Sequence, residues 1–221
     1  MPTKRPLAID LFCGLGGWTE GLLAEGYYVV GFDIERHEYG DAKYPAQMVL
    51  QDVLTLHGSQ FRNVELIVAS PPCQAYSYRA MPWSRAKALP PPDNSLFEAC
   101  FRIQREACEA AGHYIPMVVE NVRGAQKWVG RSRWNFGSFH LWGDVPALMP
   151  MTVKAAKVGS LQAESDGVKH KGSGPIWFDT GPSVLSSKSN ARKAASALIA
   201  KIPLVLARHI AAVWHPMRNA A

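Results

Sequence analysis

Five short apolar runs, each halted at a turn-forming or acidic residue, constrain this chain more than any other feature. Leu7-Ala8-Ile9-Asp10-Leu11 reads as a buried parallel strand entering the glycine-rich turn Cys13-Gly14-Leu15-Gly16-Gly17. Helical spacing follows through Trp18, Leu22 and Leu23 and stops at Gly26. Residues 27–32 read as a second strand ending in Asp33, and residues 47–50 as a third ending near Asp52. Residues 65–69 make a fourth, ending at Ser70-Pro71-Pro72-Cys73, and residues 117–120 a fifth. Residues 36–44 read as a short helix and 94–111 as a long one. Strand, turn and helix in alternation predict an α/β fold, a doubly wound, mostly parallel sheet with helices on both faces.

The polar loop carrying Pro82 and Pro90-Pro91-Pro92 is long enough to suggest a functional role. Past residue 145 the character changes. Residues 146–190 are rich in Lys, Ser and Gly without sustained periodicity, and read as a small irregular subdomain. Residues 191–214 regain helical spacing, interrupted at Pro203, which can open a second helix at its first position. The expected parts are residues 1–145, 146–190 and 191–221.

Of 221 residues, 24 are Lys or Arg and 18 Asp or Glu, a formal charge of +6. The imbalance is local: residues 1–110 hold 10 basic and 13 acidic residues, residues 111–221 hold 14 and 5. A basic half of this kind fits either a polyanionic partner or a solvated basic surface. No apolar run approaches the ~20 residues of a membrane span, and the start shows no signal-peptide pattern, so a cytoplasmic protein without membrane contact is expected. Of the four cysteines, none forms a C-x-x-C pair, and the seven histidines lack zinc-ligand spacing. Cys100 and Cys108 read as helix core residues, and no metal is expected.

The glycine turn allows backbone to approach a ligand, with a helix N-terminus behind it. Asp33 ends the second strand about 20 residues on, where an acid can hold ribose hydroxyls, and Asp52 ends the third, where a carboxylate can meet an adenine amino group. These features fit an adenosine-type cofactor; they also fit glycines used for packing and acids used as caps. Cys73 follows a rigid Pro-Pro pair at the carboxyl edge of the sheet, where ligands bind in such folds. It is there either a nucleophile or a small buried residue. Glu120, at the end of the fifth strand, is costly to desolvate unless it binds something. It could give a proton to a bound base, or serve as a cap or ion-pair partner.

Taken together and in order, Asp10-Leu11-Phe12-Cys13-Gly14-Leu15-Gly16-Gly17, Pro71-Pro72-Cys73-Gln74-Ala75-Tyr76-Ser77 and Glu120-Asn121-Val122 closely resemble the DNA cytosine-5 methyltransferase family. Asp93-Asn94-Ser95-Leu96 is similar to a further family motif at the head of the helix after the catalytic loop. The resemblance covers residues 7–143 well and the C-terminal helices more loosely. It implies an S-adenosylmethionine-dependent methyltransferase fold, with residues 1–145 as the catalytic domain, 146–190 as a reduced target-recognition region and 191–221 as helices returning to the catalytic domain.

The resemblance also implies roles. Phe12, Gly14, Gly16 and Gly17 would surround the methionine part of S-adenosylmethionine. Asp33 would bind its ribose, Ile34 pack on adenine, Asp52 and Val53 meet the adenine edge, and Leu96 line the pocket. Cys73 would attack carbon 6 of cytosine, and Glu120 would bind ring nitrogen 3 and the amino group. Gln74 and Ser77 would lie near the backbone of a base flipped out of duplex DNA. The family's usual Gln-x-Arg-x-Arg appears as Val129-Gly130-Arg131-Ser132-Arg133, which keeps Arg133 and Arg131 for the cytosine carbonyl and backbone. The usual closing Gly-Asn is replaced by Ala200-Lys201-Ile202-Pro203.

The expected activity is therefore cytosine-5 methylation of double-stranded DNA by a monomeric bacterial or phage-type enzyme, solitary or in a restriction–modification setting. An RNA cytosine-5 methyltransferase, a methyltransferase acting on an exocyclic amino group and a non-catalytic nucleic-acid binder of the same fold are the alternatives. The recognition region is far shorter than usual for the family. Its Lys154, Lys157, Lys169 and Lys171 suit phosphate contacts, which carry no sequence information, so a short or relaxed target is expected.

Overall fold

The computed structural model describes residues 5–77, 90–150, 186 and 189–217. β1 (Leu7–Leu11) lies between β2 (Tyr28–Asp33) and β6 (Leu66–Ala69), parallel to both. Outside these lie β5 (Gln47–Leu50) on one side and β7 (Met117–Asn121) on the other, also parallel. β9 (Phe139–Gly143) then pairs antiparallel with β7, and β8 (Trp134–Phe136) antiparallel with β9. The seven-stranded order is β5-β2-β1-β6-β7-β9-β8, while β3 (Glu38–Tyr39) and β4 (Ala42–Lys43) form a separate hairpin.

Side chains alternate between faces along each strand, and both faces here are apolar, as a sheet covered on two sides requires. Ala8, Leu66, Val68 and Val118 face α1 (Gly17–Ala24) and α5 (Leu204–Val213), which contribute Trp18, Leu22, Leu206 and Ile210. Ile9, Leu11, Ile67, Ala69, Met117 and Val119 face α2 (Ser95–Ala111), which contributes Phe97, Cys100, Ile103 and Ala107 at helical spacing. Each large side chain so buried stabilises the fold by roughly 1.5–3 kcal/mol. α2 starts where Asp93 accepts the Ser95 N–H at 2.8 Å, and it stops at Gly112, whose φ is 71°. Cys100 is fully buried, and Cys108 is half-buried, taking the Ile115 N–H at 3.2 Å.

α1 and α5 cross at Gly21. A Cβ there would stand 2.4 Å from the Ala207 Cβ and 2.5 Å from its carbonyl carbon. Gly21→Ala is therefore expected to destabilise the protein by about 1–3 kcal/mol through overpacking, read as a lower Tm. An unchanged Tm would mean that the two helices separate without cost.

Residues 36–44 are not a helix but contain the β3–β4 hairpin, Glu38 opposite Lys43 and Tyr39 opposite Ala42. Pro203 is not the first helical residue: it precedes α5 with extended ψ of 134°, its carbonyl accepting the Ala207 N–H at 3.0 Å. α3 is the short helix Gln126–Val129, and the residues before Pro203 form α4 (Asn190–Ala200). Most of the expected irregular subdomain, residues 151–185, lies outside the described residues. Among the described residues no single helix is long and apolar enough to cross a membrane.

Candidate active site

At the carboxyl end of β1 the chain folds back through Phe12 and the glycine turn. The Cys13 N–H is held by the Phe32 carbonyl at 3.1 Å, and the Gly16 N–H by the Cys13 carbonyl at 2.7 Å. Asp33, at the end of β2, braces this turn: it accepts the Gly14 N–H at 2.9 Å and the Ile34 N–H at 2.8 Å. A carboxylate has lone pairs beyond those two. A side chain on Gly14 would meet no protein atom within 4 Å, so the turn faces open space. Beside it Ile34 is 73% exposed, an apolar surface without a protein partner for most of its area. Asp52 takes the Leu54 N–H at 2.9 Å and opens the 3-10 turn of residues 53–55.

β6 ends two strands away from Asp33, and its chain runs through Pro71-Pro72 to Cys73, which forms no disulfide. Residues 74–76 make a 3-10 turn whose Tyr76 is buried and donates its hydroxyl to Asn94 at 2.9 Å, tying the loop to the head of α2. From the other side, the Asn121 amide donates to the Pro71 carbonyl at 2.9 Å. Asn121 closes β7 directly after Glu120, so one residue links the two loops that carry the cysteine and the glutamate. Glu120 is only 9% exposed. Burial pushes its carboxyl up to about 8, against a hydrogen bond from Ser70 that lowers it.

These elements enclose a cleft of about 790 Å³ at the carboxyl edge of the sheet. The strand order reverses between β2-β1 and β6-β7, and such switch points open a crevice above the strand ends. Of the residues singled out from sequence, Phe12, Gly14, Gly17, Asp33, Ile34, Asp52, Val53, Leu96, Cys73, Gln74, Ser77 and Glu120 all line it. Gly16 stands behind the turn against Tyr44 and Pro45. Arg131 and Arg133 are exposed and do not line the cleft. Their segment is fixed by Ser132, whose hydroxyl donates to Gln126 at 3.0 Å and lies 3.0 Å from His140 Nδ1. Lys154, Lys157, Lys169 and Lys171 lie outside the described residues. Among the described residues, no group of three or more His, Cys, Asp or Glu could hold a metal ion.

Asp10, Trp18, Ser70 and the α4 residues Arg192 and Lys193 also line the cleft, where sequence reading did not place them. For Asp10 a signal existed, a lone carboxylate inside an otherwise apolar strand. For α4 there was none, because its approach is purely tertiary. The break after α4 abuts the glycine turn so closely that a Cβ on Gly17 would stand 2.3 Å from the Ile202 backbone nitrogen.

Asp10 also tests whether S-adenosylmethionine suits the cleft. One of its oxygens accepts the Thr19 hydroxyl at 2.7 Å, and Thr19 lies 2.7 Å from the Tyr44 hydroxyl. The other oxygen, Oδ1, is buried without a hydrogen-bond partner. Burial raises the Asp10 carboxyl to about 8, with Asp33 adding to the rise. An orphaned acid under a glycine turn can be satisfied by an ammonium group, and a ribose-height acid and an exposed isoleucine stand beside it. The residues fit an amino-acid nucleoside of this kind.

The family model for C-5 cytosine-specific DNA methylases matches residues 7–129. The Type II methyltransferase M1.HphI of Haemophilus parahaemolyticus is 36% identical over 80 residues, 31% of this chain and 21% of that protein. The chain thus spans about a fifth of the length of that relative. Among solved structures, a DNA modification methyltransferase assigned to an E. coli prophage is 25% identical over 57% of this chain and 34% of its own, with a TM-score of 0.39. The Entamoeba histolytica methyltransferase EhMeth is 16% identical over 70% of this chain and 58% of its own, with a TM-score of 0.43.

Proposed function

The chain belongs to the C-5 cytosine-specific DNA methylase family, and from that membership we propose that it methylates carbon 5 of cytosine in double-stranded DNA, with S-adenosylmethionine as donor. The observation that carries this reading is the meeting of Cys73 and Glu120, from adjacent strand ends, in the cleft floored by the glycine turn. When bound, S-adenosylmethionine supplies an electrophilic methyl group. Phe12, Gly14 and Gly17 would hold its methionine part, with Gly16 shaping the turn from behind; Asp33 would hold its ribose hydroxyls, Ile34, Asp52 and Val53 its adenine, and Leu96 would close the wall.

Cys73 adds as thiolate to carbon 6 of the cytosine. The new sulfur–carbon bond sends the pair of the 5,6 double bond to carbon 5. That carbon becomes nucleophilic toward the methyl group that S-adenosylmethionine would supply, whose bond to the sulfonium sulfur would break as the neutral thioether leaves. Glu120, protonated at neutral pH, places its proton at ring nitrogen 3 and accepts from the amino group, so charge built on the ring is stabilised. Loss of the carbon-5 proton to a base restores the double bond and expels the Cys73 sulfur. A base inside a duplex cannot reach the cleft, so the cytosine is flipped out. Gln74 and Ser77 meet its backbone, and Arg133 and Arg131, exposed outside the cleft, meet flanking phosphates. Residues 146–190 read the target, with Lys154, Lys157, Lys169 and Lys171 on phosphates. The protein acts as a monomer.

Incubation with labelled S-adenosylmethionine and either DNA or transfer RNA tests the reading, followed by bisulfite sequencing of DNA from expressing cells. The expected result is methylated cytosine within a short motif. Label confined to transfer RNA would move the substrate to RNA, and no label in either would leave a nucleic-acid binder.

A further inference from the structure

Three groups from three separate elements meet behind Glu120. Ser70 ends the run of β6, and because Ala69 lies opposite Val119 in the parallel pair, Ser70 comes level with Glu120. The Ser70 backbone is fixed by its N–H to the Leu11 carbonyl of β1, at 3.1 Å. Its hydroxyl accepts the indole N–H of Trp18, on the first turn of α1, at 3.0 Å. Trp18 is 2% exposed, so the indole is locked in place. An indole nitrogen can only donate, and a hydroxyl has one proton to give. With the indole occupying an acceptor site, the Ser70 proton remains for the carboxylate that stands level with it on β7.

We propose that Ser70, oriented by Trp18, is a positioning residue for Glu120: it occupies one carboxyl oxygen and turns the other, with the acid proton, toward the base in the cleft. This rests on the reading that Glu120 acts on cytosine. It adds to that reading the device by which a buried acid with a free rotor presents its proton in one direction only. Without Ser70 either oxygen could carry the proton, and half of the orientations would aim it away from the base.

Other charged groups surround Glu120. Cys73, Asp10, Asp33, Glu35, His37, Asp52, Arg192, Lys193 and Lys201 line the same cleft, while His140 on β9 stands opposite Asn121. None of these contributes to the rise of its carboxyl; burial raises it and Ser70 opposes it. Removing Ser70 should therefore move the titration of Glu120 upward, and nothing else in the cleft should compensate.

The experiment is an infrared difference titration of the cofactor-free, DNA-free protein, following the carbonyl band of the protonated carboxyl that disappears in Glu120→Gln. Ser70→Ala should raise its midpoint, Trp18→Phe should raise it less, and Ser70→Thr, which keeps the hydroxyl, should restore it. In turnover, Ser70→Ala should lower kcat by about tenfold, the scale of one hydrogen bond, with an unchanged KM for S-adenosylmethionine and an alkaline limb moved to higher pH. An unmoved midpoint in Ser70→Ala, or a loss of kcat that Ser70→Thr does not recover, overturns the proposal. Because the midpoint is read without substrate, it decides the role of Ser70 even if wild-type protein methylates no nucleic acid, the outcome that would end the methyltransferase reading.

Discussion

Cys73→Ser is expected to abolish methyl transfer, by a factor on the order of 10³ or more, as losing a nucleophile does in enzymes that work through a covalent adduct. A hydroxyl is scarcely ionised at neutral pH and is a far weaker nucleophile than a thiolate. Binding of S-adenosylmethionine should survive, since the glycine turn and Asp33 are built on β1 and β2 and do not depend on the thiol. DNA carrying 5-fluorocytosine should trap the wild-type protein as an adduct stable to denaturing electrophoresis, because the carbon-5 proton required for release is missing. The serine variant should give no such band. Substantial turnover by that variant, or an adduct formed without Cys73, would remove the cysteine from the mechanism.

Glu120→Gln should separate activity from stability. Rate should fall by about 10²–10⁴, the range for losing a positioned acid, with a smaller loss of DNA affinity. Stability should move in the other direction at alkaline pH. The carboxyl titrates near 8 in the folded protein against an ordinary value of 4.5, so between those limits the folded state holds a proton that the unfolded state has released. Stability contributed by this group is then full below about pH 4.5 and falls as pH rises through 8, by at most about 1.4 kcal/mol per pH unit. Glutamine has no proton to lose. The Tm of Glu120→Gln should therefore gain on wild type between pH 5.5 and 8.5 when cofactor is absent. A gap that stays constant across this range would show that Glu120 is not a buried acid.

The parallel half of the sheet was readable because each of its strands is an apolar run ending in a punctuating residue: Gly14 after β1, Asp33 after β2, Pro71 after β6. α2 was readable for the same reason, with Phe97, Cys100, Ile103 and Ala107 on one face and Asn94 and Gly112 at its ends. Two of the elements that sequence reading missed are hairpins with two-residue turns that begin in glycine. Gly40-Asp41 joins β3 to β4 and Gly137-Ser138 joins β8 to β9, with glycine φ values of 61° and 60°. Only glycine enters that region freely, and a Gly-X pair is itself a hairpin signal. Around Gly40 it was outweighed by helix-favouring neighbours, and around Gly137 the flanking strands are too short to show alternation.

The cleft divides along similar lines. Cys73, Glu120, Asp33 and the glycine turn could be named because each stands at a strand end, where linear order and spatial position coincide. Asn121, Ser70 and Trp18 could not, since their importance lies in bonds to residues 50 or more positions away. Asp10 was passed over as part of a strand, and the missing partner of its Oδ1 emerges only when the surrounding packing is known.

The contact between Gly17 and Ile202 has a consequence for how the protein comes into being on the ribosome. Cys73 and Glu120 are synthesised well before the segment that packs against the glycine turn. At translation speeds of about 5–20 residues per second, the interval between Glu120 and Ile202 lasts roughly 4–16 s. During it the nascent sheet carries its thiol beside a cleft with one wall absent, and the turn at Gly17 has nothing against which to settle. A chain arrested before residue 189 would hold Cys73 and Glu120 in a cleft that lacks the wall formed by residues 192–202.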